Sequence, residues 1–139
     1  GSINERKWLR PTLDCNGIYG GYTNEGAKTI IPSQASAKIS MRLVDNQDPE
    51  IILEQFKNYV SELKPKGVRV EIKAHTFAHP AQMSIDSDAM KAAEKAFEDI
   101  YLTKPLYTGE GGTIPVIADF KKSLGIDTVM MGLNLHGRL

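Results

Sequence analysis

The run Gly109-Glu110-Gly111-Gly112-Thr113 is the stretch whose residue types and spacing most plainly suit chemistry. Glycines let a backbone approach a ligand closely, and a helix opening at Thr113-Ile114-Pro115 would present unpaired N–H groups to an anion such as a carboxylate. The Lys-Ser/Thr pair of a phosphate-binding P-loop is missing at the required spacing. The same run equally suits a plain strand-to-helix turn, and Glu110 suits either a metal or amine contact or an exposed loop carboxylate. Arg42, on the polar side of an alternating stretch, has a guanidinium able to clamp a carboxylate through two parallel hydrogen bonds, or simply to sit in solvent. Thr29 offers a hydroxyl from a loop. His75, His79 and His136 lack the close His/Asp/Glu spacing of a metal site, and Cys15 is the only thiol.

The elements that must position these groups follow from periodicity. Thr12 to Tyr19 alternates loosely, with Leu13 and Cys15 on one face, and Gly20-Gly21 closes it, which predicts a strand. Tyr22 to Ser33, with Asn24, Gly26 and Pro32, is a loop. Ala35 to Val44 alternates cleanly, Ala35, Ala37, Ile39, Met41 and Leu43 on one face and Ser36, Lys38, Ser40 and Arg42 on the other, which predicts a half-buried strand. Asp48-Pro49-Glu50 is a helix start, Ile52, Phe56, Tyr59 and Leu63 recur at helical spacing, and Lys64-Pro65-Lys66-Gly67 stops the helix. Val68, Val70 and Ile72 alternate with Arg69, Glu71 and Lys73, predicting a strand to about Phe77. Beyond His79-Pro80 the composition shifts. Ser84-Ile85-Asp86-Ser87 supplies caps for a helix through Met90, Ala93, Phe97 and Ile100; a further helix runs along Ile117, Phe120 and Leu124 to Gly125, and Asp127 to Met131 reads as a buried strand. Alternating helix and strand in this second half marks an α/β layer.

Across 139 residues, 41% are apolar and 24% charged, which suits a folded chain with one small domain and part of another. Seventeen basic residues balance seventeen acidic ones with no basic stripe, so neither nucleic acid nor an anionic membrane is an expected partner. A single cysteine rules out an internal disulfide framework and fits a reducing compartment, the cytoplasm by default. No apolar run approaches the roughly 18 residues of a membrane span. Gly1-Ser2 resembles a vector remnant, so a segment of a longer polypeptide is expected.

Four stretches, taken together in order and spacing, carry a resemblance: Arg10-Pro11-Thr12-Leu13-Asp14, Gly26-Ala27-Lys28-Thr29-Ile30-Ile31-Pro32, Ser40-Met41-Arg42-Leu43-Val44, and Glu110-Gly111-Gly112-Thr113-Ile114-Pro115. From about Trp8 to Met131 the chain resembles the carnosinase-like metal-dependent dipeptidases, a family similar to succinyl-diaminopimelate desuccinylase and carboxypeptidase G. The resemblance implies an α+β fold: a lid (dimerisation) domain over 11–80, an antiparallel four-stranded sheet with two helices on one face, then a partial α/β segment of the catalytic domain over 81–139. It implies a homodimer made through the lid and a dipeptide or acylated amino-acid substrate. Arg42 would hold the substrate carboxylate, Thr29 would reach the partner subunit's active site, and Glu110, Gly111, Gly112 and Thr113 would form the substrate-binding turn.

The family's mechanism is hydrolysis assisted by two divalent metals, usually zinc, with a Glu as general base. The resemblance puts that base and most of the metal ligands before Gly1, so it assigns no catalytic residue and no metal ligand here. His136-Gly137 lies closer to Glu110 than the family's later metal-binding His and lacks its Pro-Asn-Glu context, so His136 is not assigned. The isolated chain is expected to hold no metal and to be inactive. Two other readings of the residues remain beside it, a structural dimerisation module and a self-contained small-ligand-binding α+β domain.

Overall fold

Two antiparallel strands, β1 (Thr12–Gly20) and β2 (Ala35–Arg42), form a hairpin in the computed structural model, which describes residues 1–109 and 114–132. The loose alternation of β1 has a definite cause. Thr12 pairs with Arg42, Leu13 with Met41 and Cys15 with Ile39, but the next pair is Gly17 with Lys38, leaving Asn16 as a one-residue bulge. Without it, strict alternation would set Gly17 and Tyr19 on the face of Leu13 and Cys15; the extra residue puts Ile18 opposite Ala37 and Gly20 opposite Ala35 instead. The apolar side chains of both strands therefore share one face along the whole hairpin. On the other face Lys38 Nζ sits 5.3 Å from the centroid of the Tyr19 ring, a diagonal cross-strand cation–π contact.

The first helix, α1 (Ile3–Leu9), is short and was not foreseen from periodicity; Ser2 Oγ accepts from Glu5 N at 3.1 Å to start it. The expected Asp48 cap forms as α2 (Pro49–Leu63) begins: Asp48 Oδ1 accepts from Glu50 N at 2.8 Å and Ile51 N at 3.1 Å, and Pro49 occupies the first turn. Phe56, Val60 and Leu63 of α2 face Leu13 of β1 and Val70 across an open apolar groove of about 370 Å³, so α2 lies on the apolar side of the hairpin. Ser87 caps α3 (Asp88–Tyr101), and Gly125, at φ 67°, closes α4 (Pro115–Leu124) in the left-handed region. Phe97 and Tyr101 stack one turn apart with ring centroids 4.6 Å apart. Lys121 ties α4 to its surroundings, donating to Gln82 O at 2.5 Å and pairing with Asp127 at 3.3 Å, while Thr128 N donates to Met83 Sδ at 3.5 Å.

Two expected strands do not form ladders among the described residues. Val68 to Phe77 alternates in sequence, but its described backbone bond, Val68 N to Pro65 O at 3.3 Å, closes the turn at Gly67 and pairs with no strand. Asp127 to Met131 is likewise outside any sheet, and Met130 and Met131 are exposed. Alternation specifies which side chains share a face; it does not supply the partner edge that a strand's N–H and C=O groups require. The sheet is thus two-stranded over the described residues, where the resemblance implied four strands.

Burial is sparse. Pro49 and Ile117 are the buried residues among those described, and the half-burial expected along β2 is reached only at Met41. Accessible surface totals 12254 Å², against about 7100 Å² for a compact monomer of this length. Apolar side chains that define the amphipathic faces stay open to solvent, among them Leu13, Ile18, Ile100 and Leu124.

Candidate functional site

Arg42 ends β2 and stands directly across from Thr12 on the polar face, exposed. On the same face Thr12 Oγ1 donates to Asp14 Oδ2 at 2.8 Å, so this end of the hairpin gathers a hydroxyl, a carboxylate and a guanidinium. The chain leaves Arg42 through a tight turn in which Val44 N donates to Gln47 Oε1 at 2.9 Å and Asn46 takes φ 65°. That turn delivers the Asp48 cap at which α2 begins.

Thr29 lies at the opposite end. The loop 21–34 joins Gly20 to Ala35, seven residue steps from Arg42, or about 23 Å along a strand. Within the loop Tyr22 Oη donates to Glu25 O at 3.4 Å, and Lys28 Nζ sits 5.5 Å from the Tyr22 ring centroid. Lys28 is thereby held beside a residue two positions past the end of β1, and Thr29 follows it. The stems of the loop that carries Thr29 thus stand at the end of the hairpin away from Arg42.

Glu110, Gly111, Gly112 and Thr113 lie outside the described residues, as does His136. The segment leading into that turn is described, and it is held from two sides. From α3, Glu94 accepts from Tyr107 Oη at 2.8 Å and has Lys104 Nζ at 4.0 Å from its other oxygen. Donation to the Glu94 carboxylate, partial desolvation, and the negative charges of Glu94 and Asp86 all raise the Tyr107 pKa. From α1, Trp8 touches Gly109: a Cβ on that glycine would lie 2.6 Å from Trp8 Cβ. Sequence reading passed over Trp8, Glu94 and Tyr107, because their roles depend on contacts between distant segments.

Among the described residues no three His, Cys, Asp or Glu side chains come together as a metal would require. A second groove, about 460 Å³, opens beside His79 and Pro80 against Asp119, Lys121 and Lys122 of α4; one imidazole with mixed charges falls short of a ligand set. No helix among the described residues is long and apolar enough to cross a membrane.

Comparison with known proteins decides what this arrangement belongs to. The peptidase dimerisation domain of the M20 family matches residues 2–68, covering α1, the hairpin and α2. Residues 2–68 thus resemble an M20 peptidase dimerisation domain. Over 137 residues, 93% of the chain, the sequence is 32% identical to the Cys-Gly metallodipeptidase of Candida albicans. It is 26% identical over 129 residues to the Beta-Ala-His dipeptidase of Homo sapiens. Among solved structures, the M20 family metallo-carboxypeptidase of Sulfolobus solfataricus superposes with a TM-score of 0.75 at 36% identity, covering 87% of this chain. Human carnosine dipeptidase 1 superposes with a TM-score of 0.74 at 25% identity, covering 88%. The chain spans about a quarter of the length of these relatives, 27% of the Candida and Sulfolobus proteins. The α+β fold expected from the four stretches holds, and the likeness to these relatives extends past residue 68 into α3 and α4.

Proposed function

We propose that this chain supplies the dimerisation and substrate-binding part of an M20 metal-dependent dipeptidase, with residues 11–80 as the lid and 81–139 as the re-entry into the catalytic domain. The substrate class is dipeptides or acylated amino acids, with Arg42 on the substrate carboxylate and the Glu110, Gly111, Gly112 and Thr113 turn beside it. Two zinc ions are the proposed metals. Among the described residues no side-chain cluster fits a metal, and the isolated chain is expected to be inactive. The cytoplasm, which the lone exposed thiol suits, is the proposed location.

The observation that supports this reading is that the loop carrying Thr29 is rooted at the end of the hairpin opposite Arg42. Two groups for one substrate that belong to opposite ends of such a ladder meet readily when each comes from a different copy. The lid supplies a route to such a pair: among the described residues no further strand joins either edge of the two-stranded sheet, and a homodimer is the simplest closed assembly. Open apolar faces on α3 and α4 fit burial against the rest of a catalytic domain.

Sedimentation of the chain is expected to give a dimer. Hydrolysis of Cys-Gly and β-Ala-His dipeptides, assayed with divalent metal on the polypeptide that carries this span, is expected to be lost progressively as Arg42 is shortened, with Arg42→Ala raising KM by about tenfold or more. A monomer together with no hydrolysis across such a panel overturns the proposal.

A further inference from the structure

We propose that Trp8 is a positioning residue for the Gly-rich turn, seated against the α-carbon of Gly109 so that α1 sets where the turn begins. The inference rests on the dipeptidase reading for its functional side and on the Trp8–Gly109 contact for its physical side.

Gly109 is glycine because of that contact. Gly21, Gly26, Gly67 and Gly125 take positive φ and meet nothing where a Cβ would go, so their reason is conformational. Gly109 is the reverse case: it is not among the positive-φ glycines, yet a Cβ on it would lie 2.6 Å from Trp8 Cβ, 3.0 Å from Cγ and 3.5 Å from Cα. Two of these approach the helix itself and not the far end of a flexible side chain, so the strain of an added methyl cannot be relieved by turning the indole. The backbone entering the turn therefore lies flat on α1.

A second hold acts from the other side. The Glu94 carboxylate of α3 accepts from Tyr107 Oη at 2.8 Å and faces Lys104 at 4.0 Å, fixing the same short segment two residues before Gly109. Segment 104–109 is thus clasped between α3 and α1, and the clasp ends at the first glycine of the run. Trp8 also stands four residues before Thr12, the residue paired with Arg42. The contact therefore ties the segment that ends at Gly109 to the segment that leads into the hairpin end carrying the guanidinium.

The test is a cycle of Gly109→Ala, Trp8→Gly and the double variant, read in two ways. Melting of the 139-residue chain tests the contact: each single variant lowers Tm, and the double variant loses less than the two losses added, because the new methyl enters the space left by the indole. Additive losses overturn the contact. Kinetics of the metal-loaded dipeptidase carrying this span test the positioning: Gly109→Ala raises KM about tenfold while kcat changes less than about threefold. Trp8→Phe, which keeps Cβ and a ring carbon at Cγ, restores most of the KM lost in Trp8→Gly. Unchanged KM in Gly109→Ala, or no recovery in Trp8→Phe, overturns the positioning role. A wild-type protein that hydrolyses no dipeptide removes the functional reading alone, and the Tm cycle still decides whether Trp8 holds Gly109.

Discussion

If Thr29 and Arg42 serve one site from two copies, damaged subunits should repair each other. Consider Arg42→Ala, which removes the guanidinium, and Thr29→Phe, which removes the hydroxyl and fills the loop with a ring. Loss of a charge-assisted contact to a carboxylate costs about 1.5–3 kcal/mol, or roughly 10- to 150-fold in kcat/KM. Each homodimer should therefore retain at most about a tenth of the activity. Co-expression in equal amounts makes about half of the dimers mixed. In a mixed dimer one site receives the intact Arg42 of one copy and the intact Thr29 of the other, while the second site receives both defects. About a quarter of wild-type activity should return. The geometry behind this is the hairpin, which puts the loop stems about 23 Å from Arg42, with Lys28 held beside Tyr22 at the far end. Dipeptide hydrolysis by the co-expressed pair, against each variant alone, reads the result. Activity equal to the mean of the two homodimers would mean that one copy supplies both groups, and the separation argument would be wrong.

Asp48→Ala should lower stability by about 1–2 kcal/mol, since it strips two backbone donors of their acceptor at the start of α2. For a chain of 139 residues that is a fall in Tm of about 3–7 °C, with Asp48→Asn falling less because it keeps an acceptor oxygen; equal Tm values for all three proteins would remove the cap from the account of α2. Deleting Asn16 should remove the bulge and leave Ile18 and Gly20 in register with Ala37 and Ala35, so the variant should sediment and melt much as the wild type does; loss of the dimer would show that the bulge itself, beyond the register, is required. Tyr107 should ionise above its ordinary value near 10, seen as the phenolate absorbance missing from Tyr107→Phe, and Glu94→Gln should bring that midpoint down. Because the folded-state pKa is raised, the stability this contact contributes is present below about pH 10 and is lost as pH climbs through the raised value; a midpoint unchanged by Glu94→Gln would assign the shift elsewhere.

Local chemistry was legible in the sequence where it is self-contained. Asp48-Pro49-Glu50 announces its helix because cap, fixed φ and dipole charge act within one turn, and β2 announces its faces because the period is strict. The Ser87 cap and the Gly125 stop are of the same kind. The bulge at Asn16 was hidden: one inserted residue turns a clean alternation into a loose one, and only the register with β2 shows where it sits. Helix α1 offers too few turns for a period to declare itself. Val68 to Phe77 shows the opposite failure, an alternating run whose ladder partner no local pattern can name. For the site, Arg42 was placed on the right face by alternation, whereas its distance from Thr29 required the pairing. Trp8 and Gly109 stand a hundred residues apart, and nothing in either neighbourhood announces the other.

A hairpin of this kind is also a gauge. Its faces repeat every two residues, so its length can change without turning a side chain over only in whole two-residue increments, each moving the Thr29 loop by about 7 Å relative to Arg42. The distance between the two groups is quantised, and a single inserted residue would reverse one strand's faces unless a bulge like that at Asn16 absorbed it. Homologous lids should therefore differ in reach by steps, with bulges marking the places where an odd residue has been taken in.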